Sequence, residues 1–194
     1  AAWGDYDNDG DLDLLLAGHT GSERIVRIYR NDAGAFSDIG AGLPGVEWCA
    51  LAWGDYDNDG DLDILLAGST GSERIARIYR NDAGFFTDIG AGLPGVSHCA
   101  TAWGDYDNDG DIDILLAGDT GSDRIGRIYR NDAGVFTDIG AGFPGVDDCV
   151  AAWGDCDNDG DLDFLLAGNT GSELIACIYR NNSLIANTAP TAPT

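Results

Sequence analysis

The chain repeats one pattern of apolar and polar positions four times, with a period of 50 residues and no insertion or deletion. In the second copy, CALAWGD (49–55) alternates large with small residues and DILLAG (63–68) is continuously apolar. ERIARIYRND (73–82) places arginines between apolar positions, and FFTDIG (85–90) is the most polar segment. Short runs of this kind between Gly-rich turns are typical of strands. The pattern therefore predicts four short strands in each copy, the last of them outermost.

Four antiparallel strands per repeating unit predict an all-β protein with the architecture of a β-propeller. Helix is disfavoured because 29 Gly residues interrupt every window. A β-solenoid is the structural alternative, but its coils are usually shorter and parallel, and a sandwich would not need a strict period. We expect four-stranded blades of 50 residues at 1–50, 51–100 and 101–150, a fourth with a truncated outer strand at 151–187, and a linker-like tail at 188–194.

How four copies close into a propeller is left open by the sequence. One chain could close alone as a four-bladed monomer, each blade turning about 90°, or two chains could form an eight-bladed ring, each blade turning about 45°. We favour the eight-bladed homodimer because four-bladed rings are tight. A larger ring that contains these copies is a further alternative. SLIAN (183–187) could supply the outer strand of the fourth copy.

An acidic loop lies between the first two predicted strands of each copy, and in the first copy it reads DYDNDGDLD (5–13). Aspartates alternate along it, Gly10 stands where the chain must turn sharply, and Asp11 can offer its backbone carbonyl. This is the oxygen-rich layout by which a compact loop wraps calcium, a hard cation that takes about 6–8 oxygen ligands. It is not an EF-hand, because Leu16 replaces the last acidic ligand and the flanks are predicted strands.

We therefore predict one calcium ion per blade and four per chain. A polar hairpin turn would explain one such loop, but four copies retain all five aspartates, whose repulsion a divalent cation offsets. Magnesium is less favoured because it keeps its waters. The predicted ligands are Asp5, Asp7, Asp9, Asp11, Asp13, Asp55, Asp57, Asp59, Asp61, Asp63, Asp105, Asp107, Asp109, Asp111, Asp113, Asp155, Asp157, Asp159, Asp161 and Asp163.

The net charge of −24, from 10 Lys or Arg and 34 Asp or Glu, argues against nucleic acid as a partner, because nucleic acid is itself a polyanion. No apolar run approaches the roughly 18 residues of a membrane span, so we expect no membrane insertion. Calcium loops of the weak class would be empty at cytosolic calcium levels. We therefore expect a secreted or cell-surface protein.

The blade pattern AWGDYDNDGDLDILLAG…RIYRND…FTDI resembles the FG-GAP/VCBS repeat family, known from integrin α-subunit propellers and many secreted bacterial proteins. The resemblance covers about residues 1–182, and the D-x-D-x-D-G-x-x-D loop is its most specific part. It implies a propeller with calcium between the first and second strands of each blade, and a role in extracellular binding or adhesion. Family propellers often have seven blades, a number that four copies cannot give.

Catalysis has little support, because the chain has no Lys and only two histidines, at non-equivalent positions. We expect a non-enzymatic binding or adhesion module. The alternatives are a lectin-like propeller that binds glycans and a passive scaffold or spacer of a larger secreted protein. The copies differ most at His19 and its equivalents and at pairs such as Glu47-Trp48. These lie on the predicted face opposite the calcium loops, where a protein or glycan ligand would bind.

The five cysteines divide into two groups. Cys49, Cys99 and Cys149 share one strand position, and we expect buried thiols that act as small apolar side chains. Cys156 replaces the loop tyrosine and Cys177 replaces a strand arginine, both in the fourth copy. A disulfide between them is a hypothesis that requires this Tyr and this Arg to touch in the other copies.

Overall fold

The computed structural model describes residues 1–181, which form four successive antiparallel sheets, one per copy of the repeat. This confirms the all-β prediction. The first three sheets have four strands each, and the described part of the fourth has three. The predicted outer strand at 183–187 and the tail at 188–194 lie outside the described residues. No helix among residues 1–181 has the length and apolar character needed to span a bilayer.

The strands follow the predicted segments closely. The strands of the first two sheets are β1 (Ala2–Gly4), β2 (Asp13–His19), β3 (Arg24–Asp32), β4 (Ala35–Asp38), β5 (Glu47–Gly54), β6 (Asp63–Ser69), β7 (Arg74–Asp82) and β8 (Phe85–Asp88). Those of the other two are β9 (Ser97–Gly104), β10 (Asp113–Asp119), β11 (Arg124–Asp132), β12 (Val135–Asp138), β13 (Asp147–Gly154), β14 (Asp163–Asn169) and β15 (Leu174–Tyr179).

Each sheet is an up-and-down meander, in which every strand pairs with the next one along the chain. The acidic loop joins the first strand to the second, and pairing of Gly4 with Asp13 brings the ends of that loop together. Pairing of Glu47 with Ser69 places the variable positions at the other end of the same hairpin. The acidic loops and the variable residues therefore lie at opposite ends of the sheets, as predicted.

A β-bulge interrupts the first strand of the sheet, which we call the inner strand, near its start. In the second sheet the register shifts between Glu47 and Ala50, so that Trp48 lies in the bulge. Trp48 has a φ of 48°, and its equivalents His98 and Asp148 have φ values of 48° and 44°. All three backbones are left-handed, although none of these residues is a glycine.

The hydrophobic core lies between neighbouring sheets. Successive side chains of a strand point to opposite faces, so Leu15 and Ile28 contact the second sheet while Leu14 points the other way. In the first core Leu15 and Ile28 join Ile64 and Leu66, and all four are completely buried. Equivalent cores join the second sheet to the third and the third to the fourth.

No substantial contact joins the first sheet to the fourth among the described strands. The inner strands of the copies nevertheless line one concave cavity of about 310 Å³. Cys49, Cys99 and Cys149 lie in its wall and are half-buried, whereas buried thiols were predicted. Loss of hydration still raises the pKa of Cys99 to about 12 and that of Cys149 to about 11.

The hypothesis of a Cys156–Cys177 disulfide is wrong, because both thiols are free. The loop tyrosine packs against the next sheet: the ring centroid of Tyr6 lies 6.2 Å from that of Trp53 and 5.9 Å from that of Phe86. The strand arginine instead pairs with acids of its own sheet, as Arg127 does with Asp138 at 3.0 Å. The tyrosine and the arginine therefore have different partners in the other copies.

Candidate metal centres

Each acidic loop is shaped by hydrogen bonds from its own backbone to its first aspartate. The Oδ1 atom of Asp5 accepts from Asp9 N at 3.1 Å, and its Oδ2 atom accepts from Gly10 N at 2.9 Å. Asn8 and Gly10 have φ values of 58° and 96°, a left-handed conformation that Asn tolerates and Gly adopts freely. These two residues let the chain fold back around the carboxylate of Asp5.

The last aspartate of the loop begins the second strand and is completely buried. The carboxylate of Asp13 accepts from Tyr6 N at 3.0 Å and from Asn31 N at 2.8 Å. These two bonds tie the loop to the third strand and fix the orientation of the carboxylate. The same pair of bonds recurs in the other three copies.

Three of the five predicted ligands of each copy come together. One carboxylate oxygen from each lies within 4.8 Å of the other two, a spacing at which one cation can contact all three. The four groups, each able to hold a metal ion, are Asp5 with Asp7 and Asp13, Asp55 with Asp57 and Asp63, Asp105 with Asp107 and Asp113, and Asp155 with Asp157 and Asp163.

The electrostatics of these groups suit a positively charged ligand. Burial raises the pKa of Asp63 to about 7 and that of Asp113 to about 6, because an ionised carboxylate is poorly solvated there. The Oδ1 atoms of Asp57 and Asp107 are buried and accept no hydrogen bond. An unsatisfied buried carboxylate oxygen is costly. The orphaned oxygens therefore fit a hard cation, which would bind such donors directly.

The fourth copy differs in one respect. Its loop carries Cys156 in place of tyrosine, and the thiol of Cys156 donates a hydrogen bond to Asp163. This bond is the main reason that the pKa of Asp163 is lowered, whereas that of Asp63 is raised. The backbone cradle of Asp163 is otherwise the same.

The other two predicted ligands have different contacts. Asp9 Oδ1 accepts from Asp11 N at 2.9 Å, within the loop. Asp11 Oδ2 accepts from Ala33 N at 2.8 Å, in the turn between β3 and β4. The side chains of this pair, and of the equivalent pairs Asp59 and Asp61, Asp109 and Asp111, and Asp159 and Asp161, are not among the clustered carboxylates.

The acidic loops of neighbouring copies are also joined, a feature that sequence reasoning missed. Asn8 Nδ2 donates to Asp61 Oδ1 at 2.8 Å, and Asn58 and Asn108 donate in the same way to Asp111 and Asp161. The signal was present in the sequence, because an asparagine occupies the centre of all four loops.

A second asparagine joins each copy to the one before it. Asn81 is completely buried, and its Nδ2 donates to Tyr6 O of the preceding copy at 2.9 Å and to Leu62 O at 3.2 Å. Asn131 and Asn181 donate to Tyr56 O and Tyr106 O in the same manner. The sequence retains this asparagine in every copy but gives no indication that its partner is in another repeat.

Successive antiparallel sheets with acidic loops at one end define a class of tandem β-repeat protein. The model of the FG-GAP-like repeat matches the chain three times, over residues 5–66, 55–116 and 105–166. The chain therefore belongs to the FG-GAP repeat family, as its resemblance implied. No curated protein matches it.

Proposed function

We propose that this chain is a calcium-stabilised β-propeller module that binds a partner outside the cell and catalyses no reaction. The observation that carries the proposal is the same three-carboxylate cluster in each of the four copies. Family membership supports it, since FG-GAP repeats often bind calcium and are typical of extracellular proteins.

The residues that would hold calcium are those of each cluster, such as Asp55, Asp57 and Asp63 in the second copy. Carboxylates are the hard oxygen donors that calcium takes, and loop carbonyls or waters can complete its coordination. The ion would supply charge neutralisation, so that like charges no longer repel one another at the loop. Because Asp63 is hydrogen-bonded to the third strand through Asn81 N, a bound ion would also fasten the loop to the sheet.

The contacts of the clustered carboxylates favour binding over catalysis. The clustered carboxylates are anchored by backbone N–H groups, and the copies are too alike to form an asymmetric catalytic constellation. The opposite face carries an exposed aromatic pair: Trp48 stacks on His98 with ring centroids 4.6 Å apart and an interplanar angle of 18°. Trp48 is 56% exposed. We assign the binding surface for a protein or a glycan to this pair.

The experiment is a calcium titration followed by native mass spectrometry, which counts the ions held by each chain. We expect four calcium ions per 20.3 kDa chain. Asp57→Asn removes the negative charge of the carboxylate that carries an unpaired buried oxygen, and it should leave three ions. Glu73→Gln makes the same charge change at an exposed acid outside the loops and should leave four. Absence of calcium from the unaltered chain would contradict the proposal.

A further inference from the structure

The two ends of the described array leave apolar side chains uncovered. On the first sheet Trp3 is 59% exposed, and Leu12 and Phe36 are also exposed. On the fourth sheet Ile178 is 63% exposed, whereas its equivalents Ile28 and Ile78 are completely buried. We call the surface around Trp3, Leu12 and Phe36 the leading face, and the surface around Leu165, Leu174 and Ile178 the trailing face.

The contacts between neighbouring copies show what each face is shaped to meet. A Cβ atom at Gly54 would lie 2.6 Å from Trp103 Cδ1 and 2.8 Å from Ile112 Cδ1, so the indole of one copy packs directly on the glycine of the copy before it. Gly4 and Gly104 meet Trp53 and Trp153 in the same way. Every junction between the four described sheets therefore joins a glycine on a trailing side to a tryptophan on a leading side.

The glycine and tryptophan that meet at these junctions are also present at the two ends of the described array, where they have no such partner. Gly154 has nothing within 4 Å of a Cβ position, whereas each of its equivalents faces an indole. Trp3 and Leu12 are the equivalents of Trp103 and Ile112 and are exposed on the leading face. The hydrogen-bonding groups match as well: Asn158 is equivalent to Asn8, whose side chain donates to Asp61, and Asp11 is equivalent to Asp61. The trailing face thus complements the leading face group by group.

We propose that the trailing face of this chain binds the leading face of a second copy, and that two copies close a ring of eight blades through two such junctions. The occupant follows from continuity with the junctions already present, because each face carries the groups that meet a neighbouring copy at those junctions. Propellers have about 4–8 blades. Among the described strands no substantial contact joins the first sheet to the fourth, which disfavours closure by one chain, and three chains would exceed this range.

The junction between chains differs from the internal ones in a way that favours association. Within the chain, the guanidinium of Arg24 lies against the turn at Gly71, and Arg74 and Arg124 lie against Gly121 and Gly171. In the fourth copy this arginine is Leu174, which is 84% exposed. Leu174 would meet the turn at Gly21 of the second copy with apolar surface in place of charge, and burial of that surface stabilises association.

The test is the mass of the full chain in solution, with Gly154→Val as the decisive variant. We expect the unaltered chain at twice 20.3 kDa by native mass spectrometry and light scattering. Valine at residue 154 would collide with Trp3 of the second copy, but it has open space in a single chain and its backbone is not left-handed. The variant should therefore have the mass of one chain and an unchanged circular dichroism spectrum.

Two further variants keep the test decisive. Thr87→Val adds an apolar β-branched side chain at an exposed outer-strand position away from both faces, and it should remain at the double mass. Trp3→Ser alters the leading face and should also give the single mass, which covers the case in which Gly154→Val fails to fold. A single mass for the unaltered chain, open multimers, or a double mass that survives both variants would overturn the ring. Because ions are counted in the same spectrum, the ring and the calcium sites are tested separately.

Discussion

Trp48 shows at the scale of one residue how this fold exposes a side chain at a cost in backbone energy. Bulky residues with a left-handed backbone are uncommon, and the conformation costs roughly 1–2 kcal/mol for a residue with a Cβ atom. His98 and Asp148 share it at the same point of their copies. A bulge re-aims a side chain, and here it presents three different side chains in a row. Backbone strain clusters at functional sites, and the strain at this position supports the proposed binding surface.

We expect Trp48→Gly to abolish ligand binding while it leaves stability nearly unchanged. Glycine would relieve about 1–2 kcal/mol of backbone strain, and loss of the stack on His98 would cost about 0.5–1.5 kcal/mol. The free energy of unfolding, from urea denaturation, should therefore shift by less than about 1 kcal/mol. A glycan array and a panel of extracellular matrix proteins supply the binding readout. Binding that survives the substitution would place the binding surface elsewhere.

The candidate metal ligands show what can be predicted from residue types and what cannot. The alternating aspartates predicted an oxygen-rich loop, and the structure brings Asp5, Asp7 and Asp13 together. The pattern could not show that the carboxylates of Asp9 and Asp11 lie outside this cluster, where they accept hydrogen bonds from Asp11 N and Ala33 N. Their direction depends on the left-handed turns at Asn8 and Gly10, and a regular alternation of directions holds only for strands.

At the scale of the structural element, hydrogen bonds join neighbouring sheets as well as the strands of one sheet. Asn131 is completely buried, and its side chain joins Tyr56 O of the preceding copy, Ile112 O of its own loop and Gly134 N of its own turn. Asn31 makes the equivalent bonds to Leu12 O and Gly34 N, but no described copy precedes it. Comparison of Asn131 with Asn31 therefore isolates the contribution of the hydrogen bond to the preceding copy.

We expect Asn131→Ala to lower the free energy of unfolding by about 3 kcal/mol, because it leaves buried carbonyls unpaired. Asn31→Ala should cost about 1–2 kcal/mol less, since only local bonds are lost. Both are to be measured by urea denaturation in the Gly154→Val background, where the proposed ring cannot form. Equal losses would show that the bond to the preceding copy contributes nothing.

The strands themselves were predicted well because each short run is bounded by turn residues. The largest difference is at the inner strand, which begins at Glu47 and not at Cys49. The bulge at Trp48 restores pairing between Glu47 and Ser69, and a bulge has no clear signal in a sequence of mixed polarity. The outer strand ends at Asp88 rather than Gly90, where Gly90 takes a left-handed φ of 67°.

At the scale of the whole molecule, calcium should determine whether the array is stable. If each loop binds with a dissociation constant of about 0.1 mM, then about 2 mM free calcium adds about 1.8 kcal/mol per loop and about 7 kcal/mol over four loops. Typical domains are stable by only about 5–15 kcal/mol. Urea denaturation in calcium and in EDTA should show this difference, and magnesium should restore only part of it. Identical midpoints in calcium and EDTA would refute a stabilising role.

The closure of the ring is the property that the sequence leaves undetermined. All copies share nearly the same residues, so a four-bladed and an eight-bladed ring would show the same pattern of strands and loops. The angle between sheets is set by how side chains such as Trp103 pack on Gly54, and packing is not visible in periodicity. The proposed closure by a second chain rests on the apolar side chains that are exposed at both ends of the described array.

The strict period also has a consequence for how such a chain arises. A gene with near-identical copies allows misaligned recombination, which adds or removes whole units at once. Because a glycine meets a tryptophan at each junction of the described chain, a product with one unit more or fewer still stacks copy on copy. Genetic change in the number of units would therefore lengthen or shorten the array and keep the contacts between neighbouring units.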